Sequence, residues 1–101
     1  MRTKLFNLEI SDEAENDFRN AYQFYAEEST RVAESFFKQI NSSLEIIKKS
    51  PLSFPCSYKS VQKFVVKKFP FVIYYQLVES TIRVIAIFHT SRNPEIWNER
   101  S

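Results

Sequence analysis

An α+β fold of order β-α-α-β-β-β, with a helical hairpin packed on one face of a four-stranded, mainly antiparallel sheet, is what this sequence predicts. Three observations carry it: a short alternating segment at the start, two consecutive stretches with helical spacing, and then three strand-like runs rich in β-branched and aromatic residues. At 101 residues the chain has room for one hydrophobic core, so residues 1–101 are read as a single domain. Its 44% hydrophobic and 26% charged residues are far from the composition of a disordered chain.

From Lys4 to Ile10, Phe6, Leu8 and Ile10 alternate with Asn7 and Glu9, the period of a strand with one buried face. Ser11 or Asp12 can cap the helix that follows, and Asp12, Glu13 and Glu15 place negative charge at its positive end. Ala14, Phe18, Ala21, Tyr22 and Tyr25 recur at spacings of three and four, which puts them on one face, with Asp17, Arg19, Asn20 and Gln23 opposite. Glu28, Ser29 and Thr30 interrupt the pattern, and Thr30 is the expected N-cap of a second helix running to about Lys49. Its core face is Ala33, Phe36, Phe37, Ile40, Leu44 and Ile47. So short a connection folds the two helices back on each other. Pro51 cannot continue the second helix, and Ser50 to Ser60 is the one substantial loop.

Strands are expected at Val61–Val66, Phe71–Val78 and Ile82–His89, joined by short turns as an antiparallel meander. Uninterrupted alternation puts Phe71, Ile73, Tyr75 and Leu77 on one side of the second of these, with Val72, Tyr74, Gln76 and Val78 on the other. In the last strand it sets Val84, Ala86 and Phe88 against Ile85 and Ile87. Both strands are apolar on both faces and so interior, which leaves the first strand at the sheet edge beside the last. Since no helix is predicted over the second sheet face, that face is expected to be bare and to invite another polypeptide.

Two absences exclude whole classes of chemistry. The chain contains no glycine, so phosphate-cradling loops that need bare backbone cannot be written with it. With one cysteine, Cys56, and one histidine, His89, it lacks the ligands of a thiolate-rich zinc site or a paired-histidine metalloprotease site; no metal or cofactor is expected. An intrachain disulfide is excluded, the first ten residues lack a leader-like apolar run, and no stretch approaches the length that spans a bilayer. A cytoplasmic protein with no membrane partner is the expectation. Charge is uneven: residues 1–50 hold seven Lys and Arg against nine Asp and Glu, whereas residues 51–101 hold seven against three. The basic half can meet nucleic acid or an acidic partner, or be an ordinary solvated surface.

Three stretches, in this order, carry a family resemblance: Ser11-Asp12-Glu13-Ala14-Glu15-Asn16-Asp17-Phe18, Phe69-Pro70-Phe71-Val72-Ile73-Tyr74-Tyr75 and Val84-Ile85-Ala86-Ile87-Phe88-His89. With the ending His89-x-x-Arg92-x-Pro94-x-x-Trp97, the chain resembles the ParE/RelE superfamily of toxins of type II toxin-antitoxin systems, and its ParE-like branch in particular. The resemblance implies a plasmid-stabilisation-type toxin neutralised by a cognate antitoxin, with a homodimer or a toxin-antitoxin hetero-oligomer both left open. ParE-like members poison DNA gyrase by binding; RelE-like members cleave messenger RNA on the ribosome.

Metal-independent RNA cleavage needs a base for the 2′-hydroxyl, cations for the phosphorane charge and an acid for the leaving oxygen. His89 and Arg92, with Lys63, Lys67 and Lys68 on the neighbouring strand and turn, could supply part of that; equally, His89 and Arg92 could anchor the C-terminal segment by structural bonds. RelE-like enzymes place a tyrosine or histidine near the C-terminus, where this chain has Trp97, whose indole has no titratable proton to trade. The binding mode is therefore expected, with Lys63, Lys67, Lys68, Arg92 and Trp97 as contact candidates for target or nucleic acid.

Overall fold

The computed structural model of the chain describes residues 6–56 and 60–91. Strand β1 (Asn7–Ile10) is followed by helices α1 (Asp12–Glu28) and α2 (Thr30–Lys49), a 3-10 turn at Pro51–Ser53, and strands β2 (Gln62–Val65), β3 (Phe71–Val78) and β4 (Thr81–His89). The sheet order is β1-β4-β3-β2, with β1 parallel to β4 and the other pairs antiparallel. The expected order of elements, the interior position of β3 and β4, and the place of β1 at the edge beside β4 are all present.

Capping chemistry sets the helix ends. Ser11 Oγ accepts the Ala14 N–H at 3.1 Å, and the chain enters α1 held to the sheet by Ser11 N–H donating to the Val84 carbonyl at 3.0 Å. A single extended residue, Ser29, both ends α1 and starts α2. Its N–H donates to the Tyr25 carbonyl at 2.8 Å while its Oγ accepts the Val32 N–H at 3.3 Å, so Ser29 and not Thr30 is the N-cap. Thr30 is already helical, because one residue suffices to reverse the chain when its backbone serves one helix and its side chain the other.

The hairpin buries Ala14 from α1 and Ala33, Phe36, Ile40, Leu44 and Ile47 from α2 against Phe64, Phe71, Ile73, Tyr75, Ile82, Val84 and Ile87 of the sheet. Phe37 is a correction to the expected core face. Consecutive helical residues point about 100° apart, and Phe36 takes the core position; Phe37 is 47% exposed on the flank, its ring 5.9 Å from that of Phe18.

Two polar anchors fasten the periphery to this core. The Pro51 carbonyl accepts both the Tyr75 hydroxyl at 2.6 Å and Gln62 Nε2 at 2.7 Å. Gln62 and Tyr75 are cross-strand partners, so one carbonyl ties the 3-10 turn to both β2 and β3. The second anchor is Asp17. Helical spacing placed it on the solvent side of α1, yet it is only 9% exposed and its Oδ2 accepts the Ile87 N–H at 3.1 Å. β1 ends opposite Val84, and beyond that point a carboxylate from α1 serves a backbone amide of β4 in place of a strand.

Register then departs from simple alternation. Ala86 stands opposite Tyr74 and Val84 opposite Tyr75, so Ile85 is an extra residue inserted in β4, a β-bulge. Ile82, Val84 and Ile87 face the helices, whereas Ile85, Ala86 and Phe88 share the other face with Tyr74 and Val61. This overturns the expected grouping of Val84 with Ala86 and Phe88. Nor is that second face bare. Val61, leading into β2, is buried there with Tyr74, Ile85, Ala86 and Phe88 in one apolar cluster, in which Tyr74 meets Phe88 edge-on at 5.8 Å.

Two tests follow from the anchors. Burial pushes the Tyr75 hydroxyl up to about 12, against 10.0 for an ordinary tyrosine. The folded state therefore holds this proton more tightly than the unfolded chain, and the associated stability is complete below pH 10 and lost as pH rises toward 12. Tyr75→Phe should cost about 0.5–1.5 kcal/mol at neutral pH and lose less stability between pH 9 and 11 than the parent in urea titrations; an equal alkaline loss would contradict the assignment. Asp17→Ala should cost about 1.5–3 kcal/mol, with Asp17→Asn recovering part, and should speed hydrogen exchange at the Ile87 amide. Unchanged exchange there would remove the anchor.

Candidate functional site

The bulge decides what lies around His89. Phe71 pairs with His89, so the end of β4 meets the start of β3, and the Thr90 N–H closes the pair on the Pro70 carbonyl at 2.8 Å. Because Phe71 faces the helices, its directly opposed partner His89 does too; the rings meet edge-on at 5.3 Å. The Ser91 N–H donates to His89 Nδ1 at 3.1 Å, and the Ser91 hydroxyl lies 2.8 Å from the same nitrogen. A nitrogen that accepts an amide hydrogen carries the lone pair, so the proton of the neutral ring is on Nε2.

Between this strand end and α1 lies an open cavity of about 350 Å³. Asp17 and Ile87 form its buried part, and Phe71, Tyr25 and His89 line it beside Ala21. Asn20 and Phe24 stand at its exposed rim, Phe24 being 62% exposed. Burial raises the Tyr25 hydroxyl above the ordinary tyrosine value. Asp17, which helical spacing alone sets facing water, is the lining residue that sequence reasoning missed.

The expected cationic residues do not converge on one point. Lys67 and Lys68 are exposed in the turn between β2 and β3, at the same sheet end as His89. Lys68 has a left-handed backbone, φ 72°, which in a chain without glycine must be held by its surroundings. Phe69 supplies that hold, its ring 5.3 Å from both Tyr25 and Phe36, while the lysines before it stay in solvent. Lys63 is elsewhere. It pairs with Tyr74 on the second sheet face, opposite to the one His89 faces. Arg92 and Trp97 lie outside the described residues. Among the described residues, no three His, Cys, Asp or Glu side chains gather as a metal site would need, and no helix is long and apolar enough to cross a membrane.

A second surface is apolar. A cleft of about 150 Å³ runs between the end of β1 and the hairpin, lined by Ile10, Phe18, Phe37, Ile40, Leu44 and Ile87. A shallower depression against Phe18, Tyr22 and Phe37 continues it between the helices. Glu15 and Glu34 are its charged borders.

Comparison with known proteins agrees with this architecture. The model of a family described as the ParE toxin of the type II toxin-antitoxin system, parDE, matches residues 8–94. Among solved structures, a chain described as the chromosomal ParDE TA system from P. aeruginosa is similar with a TM-score of 0.76, over 84% of this chain and 96% of that one. At 15% identity the likeness is one of fold. No curated protein matches the chain.

Proposed function

The chain belongs to the ParE toxin family of type II toxin-antitoxin systems, and from that premise we propose that it acts in the cytoplasm by binding and poisoning DNA gyrase until a cognate antitoxin neutralises it. The observation that carries the binding mode is the division of the basic residues between the two sheet faces. Cleavage of RNA needs its base and its cations within reach of one phosphate, yet β-sheet pairing sets His89 on the helix side and Lys63 on the other. Lys67 and Lys68, exposed at the sheet end, suit contact with an anionic target better than the support of a buried transition state.

For the antitoxin the exposed apolar surface of the hairpin is the natural seat. Its cleft presents Ile10, Phe18 and Phe37 beside Glu34 and the Arg19-paired Glu15, a shape that the apolar face of an amphipathic segment fills. On the second sheet face, Val61, Tyr74, Ile85, Ala86 and Phe88 are buried.

The purified chain should inhibit supercoiling by gyrase and trap cleaved DNA complexes. If supercoiling is untouched, and induction instead leaves transcripts cut at codon-spaced positions that vanish in His89→Ala, then the ribosome and its messenger RNA are the target and His89 with Arg92 the machinery. Phe37→Ala should weaken antitoxin binding about ten-fold or more and cost less stability than truncation of the buried Phe36, since Phe37 is 47% exposed and packs on Phe18 only at the flank. Full antitoxin affinity in that variant would move the seat elsewhere.

A further inference from the structure

We propose that residues 92–101 fold back over the second face of the sheet and seat Ile96 and Trp97 on Ile85, Ala86 and Phe88. This concerns an internal contact of the chain and does not depend on gyrase poisoning. It starts from burial that the described residues do not account for. Ile85 and Phe88 are 1% exposed and Ala86 is 0% exposed, although the helical hairpin packs on the opposite face. Side chains on one face of a sheet stand side by side, roughly perpendicular to it, so they shield one another's flanks and not their tips. Among the described residues, the cluster on this face consists of strand residues and Val61, which leads into β2 and is itself buried. A further segment must lie across the tips. Because these side chains are buried within a single chain, that segment belongs to the chain itself.

Residues 1–5, 57–59 and 92–101 lie outside the described residues, and position separates them. The first group precedes β1, whose Asn7 pairs with Thr81 at the start of β4, so it enters from the end of the strand remote from Phe88. Residues 57–59 are bounded at the β2 edge, where Cys56 bridges to Gln62, and β2 is two strand spacings, about 10 Å, from β4. Residues 92–101 instead follow β4 directly, after the turn at Thr90 and Ser91. From Ser91 to Trp97 the chain can extend roughly 20 Å, whereas Phe88 to Ile85 spans about 10 Å of strand. Reach is therefore ample. In an otherwise polar run this segment also carries two adjacent large apolar residues, Ile96 and Trp97, and a tryptophan buries about 150–250 Å². Trp97, read from the sequence as a candidate contact for the target, is on this reading a cover for the chain's own sheet.

The chain has one tryptophan, so its emission and its indole resonances report on Trp97 alone. In the full chain that emission should be blue-shifted and quenched by acrylamide several-fold less than in urea. The indole protons should show nuclear Overhauser contacts to Phe88, Ile85 and the methyl of Ala86. Trp97→Ala should raise the unfolding equilibrium constant about ten-fold or more, with Trp97→Phe recovering part of the loss. If the alanine variant does not fold, the contacts in the parent chain decide. A solvated indole in the native state would overturn the proposal, as would indole contacts to Phe24 and Tyr25 on the helix side. Contacts to Phe88 from Leu5 or Tyr58 in place of Trp97 would assign the cover to another segment, and protection lost on dilution would assign it to a second copy; either contradicts the proposal.

Discussion

The bond from the Asp17 carboxylate to the Ile87 amide is the contact on which the junction between the first helix and the end of the last strand depends. A central strand whose neighbour stops halfway exposes amides that must be satisfied inside an apolar layer. Here β1 stops opposite Val84 and the chain turns at once into α1, so the helix itself supplies the acceptor one and a half turns later. A charged acceptor is the strong choice for such a position. It locks the first helix to the last strand, and the cavity that opens beside it inherits a carboxylate, a histidine and an aromatic wall in fixed relation.

The absence of glycine shapes the rest. Among the described residues, Ser60, Lys68 and Glu79 occupy left-handed backbone that glycine would fill at lower cost. At Lys68 the compensation is visible, because the next residue, Phe69, buries its ring among Tyr25 and Phe36. The Pro51 carbonyl performs the matching service at the other side, holding the turn after α2 to β2 and β3 through Gln62 and Tyr75. Connections are thus secured by side chains that reach into the core, and the charged residues beside them remain available to a partner.

Elements governed by local periodicity were legible in the sequence. Both helices, the interior rank of β3 and β4 and the edge position of β1 follow from spacing alone, and β3 has its expected bounds, Phe71–Val78. What local patterns do not contain is the tertiary use of a residue. Nothing near Asp17 distinguishes it from Arg19 or Asn20 until β4 is laid against the helix, and no turn residue announces the insertion of Ile85, whose neighbours Val84 and Ala86 are apolar. That one insertion reverses the faces of the residues after it, which is why the environment of His89 was not foreseen. Of the site residues proposed from sequence, Lys67, Lys68 and His89 share one end of the sheet and Lys63 does not; Arg92 and Trp97 lie outside the described residues.

For a chain of the ParE toxin family, the consequence is two distinct surfaces: an apolar hairpin cleft, and a polar, aromatic-lined sheet end. The description of the sheet end presupposes that the bulge turns the lone imidazole toward the helices. The chain has a single histidine, so its ring protons can be assigned without ambiguity, and their nuclear Overhauser contacts read the face directly. Contacts to the rings of Phe71 and Tyr25 and the methyl of Ala21 are predicted; contacts to Val72 and Tyr74 instead would place His89 on the other face and contradict the account.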